Sequence, residues 1–256
     1  MSLINKTLRI LSLAALGLVA SVAAQADDEL HLDQAPLRFD NASLQHGAKL
    51  FINYCVSCHS ASSLRYNRLE QIGLTDAQIK DKLMFTADKV GEQMTVALRR
   101  QDAKVWFGVA PPDLTLIARA LASESGSGPD WLYTYLRQFY RDDSRPTGWN
   151  NVVFPNVGMP NVLWELQGEQ VAHVVEKVDD QGNKTSHIDS LEIVKPGQLS
   201  KDEYDEDITD LVSFMTWMSE PDQGIRTTIG WFVLAVLAVL AVLTYLLKRA
   251  IWKDVH

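Results

Sequence analysis

Both cysteines of this 256-residue chain lie within four positions, Cys55 to Cys58, and His59 directly follows the second one. Residues three and four positions apart share one face of a helix, so the two thiols and the imidazole are predicted to point the same way. The Cys-x-x-Cys-His spacing is typical of covalent attachment of a c-type haem, in which the thiols add to the two vinyl groups and the imidazole reaches the iron. The cysteines are therefore predicted to anchor a cofactor.

Three other roles for a close cysteine pair fit the sequence less well. A structural zinc site needs four protein ligands, and the chain has neither a second cysteine pair nor a His-x-x-x-His motif. A thioredoxin-like redox pair needs a βαβ context, whereas the flanking residues have a helical period. A disulfide across so short a loop constrains the chain little and has no need of His59. Covalent haem attachment is the favoured interpretation.

Two hydrophobic segments, one at each end of the chain, predict export and membrane anchoring. Residues 1–26 carry Lys6 and Arg9, then an apolar run and the sequence Ala-Gln-Ala, which is the layout of a cleaved signal peptide. An N-terminal membrane anchor is the alternative for this segment. Residues 229–247 contain no charged side chain and, as a helix, nearly match a hydrocarbon core of about 30 Å.

These segments set the predicted domain boundaries. A transmembrane helix over residues 225–247 separates an exported domain, residues 27–224, from a tail at residues 248–256. Trp231 and Tyr245 lie near the ends of the apolar run, where amphipathic rings prefer the membrane interface. Basic residues follow the helix, so the positive-inside tendency predicts a cytoplasmic tail and an exported domain on the other side.

The exported domain is acidic. Residues 27–224 contain 31 Asp and Glu against 18 Lys and Arg, a formal charge of −13. This balance argues against nucleic acid and anionic lipid as partners. It would attract a cationic protein and accelerate that encounter in a salt-dependent way, or it would serve solubility alone.

Hydrophobic periodicity predicts a mainly helical domain with one hairpin. Turn-forming residues predict an irregular loop over 145–166 and a hairpin turn at 180–183. Asp113 is a candidate cap for the helix that follows it. The predicted helices cover residues 42–54, 75–100, 114–121, 130–140 and 205–217.

Met159 is the favoured candidate for a second iron ligand. It lies in the sequence PNVGMPNV, whose prolines and glycine predict a non-helical loop that can present a thioether to a flat ring. Ligation by His and Met leaves no open coordination position, raises the reduction potential and suits electron transfer. The alternatives are a histidine or solvent. The other methionines after the cysteine motif are predicted to pack in the core: Met84, Met94, Met215 and Met218.

The chain resembles the cytochrome c1 family, the haem-bearing subunits of ubiquinol–cytochrome c reductase, in its bacterial form. The matching stretches are YCVSCHSASSLRYNRL, APPDLTLIARA, GPDWLYTYLRQFYRDDSRPTGWNN, FPNVGMP and LLKRAIWKDVH, and they span nearly all of the mature chain. This resemblance implies a mainly α fold: an enlarged class I cytochrome c fold with a small β-hairpin insertion and one C-terminal transmembrane helix.

The resemblance also implies a set of haem-binding residues. Cys55 and Cys58 match the thioether anchors of one haem c, His59 the proximal iron ligand and Met159 the distal one. The turn containing Pro112 matches a segment that packs along the haem. Arg119 is a candidate partner for a haem propionate, with a solvated helix charge as the alternative. Family members often carry a second basic residue two places further on, where this chain has Leu121.

By the same resemblance, a Rieske iron–sulfur protein reduces the haem, a soluble cytochrome c oxidises it, and a cytochrome b subunit carries out the quinol chemistry. The complex is expected to be dimeric, in a bacterial cytoplasmic membrane with the haem domain in the periplasm. No residue is predicted to act as acid, base or nucleophile. The acidic run at residues 201–210 is a candidate docking surface, or else a helix start rich in acids because of the helix dipole.

Two other functions stay open at this point. A membrane-tethered haem peroxidase or sensor would require Met159 to be off the iron. A free-standing membrane-anchored shuttle cytochrome would have the same ligands but no partner subunits.

Overall fold

The structure, a computed structural model, describes residues 31–178 and 184–254. The chain divides into an N-terminal unit, residues 1–31, and a main unit, residues 32–256. All regular secondary structure among the described residues belongs to the main unit. The predicted signal peptide and the predicted hairpin turn at residues 180–183 lie outside the described residues.

The described part of the main unit is mostly helical, with short antiparallel strand pairs. The α-helices are α1 (Asn41–Tyr54), α2 (Asp76–Lys82), α3 (Arg100–Phe107), α4 (Ile117–Ala120), α5 (Gly128–Arg137), α6 (Trp164–Gln167), α7 (Lys201–Ser219) and α8 (Gln223–Ile251). The strands are β1 (Ala61–Arg65), β2 (Gln93–Met94), β3 (Phe139–Arg141), β4 (Trp149–Asn151), β5 (Gly168–Val178) and β6 (Lys184–Pro196), and they pair as β1–β2, β3–β4 and β5–β6. Short 3₁₀ helices cover Tyr66–Ile72 and Trp252–Asp254.

Helix α1 packs against α7, the last helix before the apolar helix α8. Helix α1 is capped by Asp40, whose carboxylate accepts a hydrogen bond from the backbone N–H of Ser43 at 3.1 Å. Helix α7 is capped by Ser200, which forms a capping box with Glu203. The two helices are therefore defined locally before they pack.

Gly47 is the point of closest approach between these helices. A Cβ atom at this position would lie 2.0 Å from the carbonyl oxygen of Asp210, so no larger residue fits without moving α7. One turn further along α1, Phe51 is fully buried and its ring lies 5.6 Å from the ring of Phe214. Because Gly47 has no side chain, the two helices approach closely, and Phe51 and Phe214 pack against each other in the core.

The prediction of one helix over residues 75–100 is wrong in its middle. Thr75 caps α2, with Gln78 completing a capping box, but the helix ends at Lys82. Beyond Lys82, backbone carbonyls accept hydrogen bonds from a distant part of the chain. The N–H of Asn67, for example, donates to the carbonyl of Val90 at 2.7 Å. Long-range hydrogen bonds have replaced those of a continuous helix, and α3 begins again at Arg100.

The prediction of a helix over 114–121 capped by Asp113 is also wrong in its bounds, because α4 is a single turn. The carboxylate of Asp113 instead accepts hydrogen bonds from the backbone N–H groups of Ser62, at 2.8 Å, and Thr115, at 2.9 Å. Asp113 therefore ties the turn before α4 to strand β1.

The other predictions of local structure hold with small changes. Helix α5 begins after the cap of Ser127 and ends at Arg137, so residues 139–141 form strand β3 instead of its last turn. The predicted hairpin is present as β5 and β6, and the predicted last helix is α7, extended at both ends. The loop predicted over 145–166 contains strand β4 and the start of α6.

Helix α8 matches the predicted membrane span in position and character. It is 29 residues long, reaches a mean hydropathy of 2.5 over 18 residues, and packs none of that segment inside the described protein. A core helix of a soluble protein would bury one face, so length and composition together make α8 a candidate span.

The contact at Gly47 generates a test of the α1–α7 packing. We expect Gly47→Ala to lower the free energy of unfolding by about 3 kcal/mol, because the added methyl collides with backbone that cannot rotate away. Gly91→Ala is the matched control, since a Cβ there meets no atom within 4 Å. Denaturant unfolding of the detergent-solubilised protein measures both, and equal midpoints for the two variants would contradict a tight crossing.

Candidate haem-binding cavity

A cavity of about 410 Å³ lies beside the Cys-x-x-Cys-His motif. This volume falls in the usual range for ligand pockets. Its walls come from the end of α1, the segment 107–121, helix α5, the loop 154–162 and one face of α7. No charged side chain is among the residues that line it in the described structure. The cavity therefore suits a large, flat, mostly apolar group.

The cysteine motif continues the winding of α1 for one more turn. The N–H groups of Cys58 and His59 both donate to the carbonyl of Cys55, at 3.1 and 2.8 Å. This local winding places both thiols and the imidazole on the cavity wall, as their spacing predicts. The two thiols are free and not joined by a disulfide.

The environment of Cys55 argues against a metal-binding or redox-active thiolate. Burial, together with the neighbouring charge of Cys58, raises the pKa of the Cys55 thiol to about 12. Reactive and metal-binding cysteines need the thiolate, which polar or positive surroundings favour. A neutral thiol against an apolar wall instead fits conversion to a thioether. The surroundings of Cys55 therefore favour the protonated thiol over the thiolate.

His59 is oriented by the backbone across the cavity wall. Its Nδ1–H donates to the carbonyl oxygen of Pro112 at 2.7 Å, which leaves the lone pair on Nε2. Burial lowers the pKa of His59, opposed by the Pro112 hydrogen bond and by the charge of Asp113. The neutral imidazole that results is the form that binds a metal, and a hydrogen bond on the other nitrogen is the usual way of orienting such a ligand.

The Pro-Pro turn is itself held in place by Asp113. Burial alone would raise the pKa of this carboxyl, but hydrogen bonds from Thr115 and Ser62 hold it below its usual value. The ionised carboxylate keeps both donors, so the carbonyl of Pro112 stays at the correct distance for His59. Pro112 thus serves the site through its backbone as well as by lining the cavity.

Met159 lies on the loop that closes the cavity. The loop contains Asn156 in the left-handed conformation, with φ of 64°, a region that asparagine tolerates better than most residues. At Gly158 a Cβ would lie 3.2 Å from the side chain of Val109, so glycine allows the loop to approach the opposite wall closely. The thioether of Met159 accepts a hydrogen bond from the hydroxyl of Tyr135 at 3.5 Å.

The cavity brings together five of the six predicted cofactor-binding residues: Cys55, Cys58, His59, Pro112 and Met159 all line it. Arg119 does not; it lies exposed on α4, so its contact with a propionate stays a prediction. Leu121 lines the cavity instead. Of the predicted core methionines, Met94, Met215 and Met218 are buried and Met84 is half-buried. Met215 also lines the cavity.

Trp131 and Tyr135 also line the cavity, from α5, and were not among the predicted site residues. These residues and Phe139 recur at four-residue spacing, and that spacing is the signal that could have singled them out. The two rings stack at 4.7 Å with an interplanar angle of 18°. Burial raises the pKa of Tyr135, so its hydroxyl keeps the proton that it donates.

Most of the acidic run at residues 201–210 is engaged within the protein. Glu203 completes the helix cap, Asp205 pairs with Arg137 at 2.7 Å, and Asp210 bonds to His46 at 2.9 Å. Glu206 is exposed and lies 3.8 Å from Arg38. These acidic side chains therefore stabilise the fold through a helix cap and ion pairs. Docking of a partner protein on residues 201–210 stays a prediction.

Comparisons with known proteins agree with the geometry. The model of the Cytochrome C1 family matches residues 31–255. A cytochrome c1 of Allochromatium vinosum is 46% identical over 228 residues, covering 88% of this chain and 90% of that protein. A Nitrosomonas europaea protein named as ammonia monooxygenase gamma subunit is 44% identical over 245 residues, covering 95% and 97%.

A more distant relative, a cytochrome c1 of Rhodospirillum rubrum, is 28% identical over 247 residues, covering 85% of this chain and 84% of that one. The similarity thus extends over the haem cavity, the hairpin and the apolar C-terminal helix alike. Because the family model matches nearly the whole chain and the cavity holds the residues expected of such a protein, this chain belongs to the cytochrome c1 family.

Proposed function

We propose that this chain carries single electrons through one haem c that is covalently attached to Cys55 and Cys58 and ligated by His59 and Met159. It is the haem-bearing electron-transfer subunit of a cytochrome bc1 complex. The observation that carries this proposal is the convergence of two thiols, a neutral imidazole and a thioether on one apolar cavity. When bound, the haem supplies a one-electron couple between ferric and ferrous iron.

The residues of the chain would set how readily that couple accepts an electron. His59, held by Pro112, would supply an imidazole ligand to the haem iron, and Met159 would supply a soft thioether, a ligand that favours the ferrous state. The apolar walls would keep water and charge away from the bound haem, which also favours the state with the lower charge. Both effects raise the reduction potential.

The partners follow from membership of the complex. Cytochrome b is the membrane partner of a cytochrome c1. We infer that a Rieske iron–sulfur protein delivers the electron, that a soluble cytochrome c removes it, and that the whole complex is a dimer. The acidic balance of residues 27–224 supports a cationic acceptor, because long-range attraction accelerates encounter with a basic protein.

The location follows from helix α8. A C-terminal helix of this kind anchors a cytochrome c1 in the membrane, and α8 has the required length and composition. We infer that the haem domain lies in the periplasm, because Lys248 and Arg249 end the helix and Lys253 follows it, as in cytoplasmic flanks. Signal-peptide cleavage near residue 26 would agree with this orientation.

Covalent attachment is tested on the denatured polypeptide. We expect the wild-type chain to keep haem-dependent peroxidase stain on a denaturing gel and to exceed the mass of the processed chain by one haem. The double variant Cys55→Ser, Cys58→Ser should lose both signals, because neither thiol then remains to form a thioether. A wild-type mass equal to that of the bare chain would overturn the proposal.

The distal ligand is tested by Met159→Leu. Covalent haem should remain, since both thiols are untouched, while the midpoint potential should fall by about 100 mV or more as the thioether leaves the iron. Redox titration measures the change. Carbon monoxide should then bind the reduced variant and alter its Soret band, whereas the wild type should resist it. An unchanged potential would exclude Met159 as the ligand.

Purification under mild detergent separates this function from the remaining alternatives. The chain should co-purify with a cytochrome b and an iron–sulfur protein. Recovery of the chain alone would favour a free shuttle cytochrome. Recovery with ammonia monooxygenase subunits, in keeping with the name of the Nitrosomonas europaea relative, would place it in another complex.

A further inference from the structure

His46 lies between two carboxylates at the crossing of α1 and α7. Its Nδ1 is 2.9 Å from a carboxylate oxygen of Asp210, and its Nε2 is 3.7 Å from one of Asp207. The two acids are three positions apart and share a face of α7. His46 directly precedes Gly47, where the two helices approach most closely. One imidazole therefore faces two acids at the point where α1 and α7 cross.

Only a protonated imidazole can serve both acids. A neutral imidazole has one N–H and can donate to one carboxylate, whereas the imidazolium has two N–H groups and a positive charge. The need for that charge is greatest at Asp210, which is only 9% exposed. Its second oxygen, Oδ1, is buried and has no hydrogen-bond partner within the described residues. An ionised carboxylate in such surroundings is costly unless a cation compensates it.

Asp207 has the same need for a cation. Burial raises the pKa of its carboxyl, and the charge of His46 opposes that rise. Repulsion from Asp210 and from Glu203 adds to the rise, while Lys49 on α1 also opposes it. The pair of acids on α7 is therefore mutually repulsive, and a positive charge between the two carboxylates relieves that repulsion.

Other charged residues on the segments next to α1 are engaged elsewhere. They belong to the segment that precedes α1 and to the 3₁₀ helix Tyr66–Ile72 that packs against it. Their pairs are Arg38 with Glu206 at 3.8 Å, Arg68 with Asp222 at 3.0 Å, and Glu70 with Asp76. Among the described residues, His46 is thus the basic group within ion-pair distance of both acids.

We propose that His46 is a pH-sensitive link between α1 and α7: its protonated imidazole bridges Asp207 and Asp210, and loss of the proton loosens the crossing. The bridge exists only in the folded state. Its stabilisation is therefore present where the imidazole is protonated and is lost as the pH rises through the range in which histidine releases its proton, about pH 6 to 8.

The same link bears on the haem cavity, because both helices support its wall. Helix α1 leads directly into the cysteine motif, and α7 contributes Leu211, the residue next to Asp210, together with Met215. Loosening of the crossing would therefore reach the cavity from two sides. This role of His46 goes beyond electron transfer, since it concerns helix packing and does not depend on which residues bind the iron.

The test compares His46→Arg with the wild type in denaturant unfolding of the detergent-solubilised, full-length protein, at about pH 6 and about pH 8. Arginine keeps its positive charge at both values. From the lower to the higher pH, the folding equilibrium constant of the variant should rise about three- to tenfold relative to that of the wild type, because only the wild type loses the bridging charge. An unchanged ratio would overturn the proposal.

His46→Gln gives the opposite comparison, and it carries the test alone if His46→Arg does not fold. Glutamine has no charge at either pH, so the advantage of the wild type over this variant should be present at the lower pH and shrink about three- to tenfold at the higher one. An advantage that is the same at both values would contradict the bridge.

His173→Gln is the matched control. His173 also bonds a carboxylate, that of Glu192 at 2.7 Å, but it lies on the hairpin β5–β6. Both side chains are more than half exposed, so solvent screening leaves this pair little weight. The pH profile of the variant should run parallel to that of the wild type. A pH-dependent change as large as that of His46→Gln would trace the effect to histidines in general and overturn the proposal.

A double-mutant cycle isolates the contact with Asp210. In an Asp210→Asn background, the pH-dependent effect of His46→Arg should fall to less than about half, because one of the two bridged charges is gone. An effect that persists in full would overturn the inference. Unfolding measures helix packing, so the link can fail while Met159 proves to be the iron ligand, and it can hold if Met159 is not.

Discussion

The hydrogen bond between His59 and the carbonyl of Pro112 is the interaction on which the haem cavity depends. It joins two segments that are 53 residues apart and fixes which imidazole nitrogen carries the lone pair. Asp113 extends the same connection to strand β1 through the backbone of Ser62. A flexible imidazole would bind iron with a variable geometry, whereas one anchored on backbone presents a single orientation to the haem.

On the Met159 side of the cavity, the buried side-chain amide of Asn151 holds the backbone in place. Asn151 links the carbonyl of Tyr135 to the backbone just before the Met159 loop, and glycine at position 158 lets that loop approach Val109. Backbone groups that would otherwise be buried without partners are satisfied here by one side chain. The two proposed iron ligands are thus each supported by hydrogen bonds to main chain, which suits a site that changes charge without changing shape.

The comparison of pattern with structure shows where local reasoning succeeds. The helix ending at Tyr54 and the hairpin β5–β6 were predicted from periodicity, because their backbone hydrogen bonds lie within one helix or between two consecutive strands. The predicted helix over 75–100 fails where the carbonyl of Val90 bonds to Asn67, a partner that no periodicity reveals. The contact between Tyr135 and Met159 was missed for the same reason, since the two residues are 24 positions apart in the chain.

The sequence by itself determined those features that lie within a single helical turn or a single continuous apolar segment. Cys55, Cys58 and His59 share a face because helical geometry requires it, and residues 229–247 of α8 form an uncharged, mostly apolar run that can be recognised from composition alone. Only the tertiary structure decided that Pro112, Tyr135 and Met159 meet around that face, and that Arg119 stays outside it. The physical reason is that these contacts arise from the packing of segments far apart in the chain, where burial and hydrogen bonding outweigh local preference.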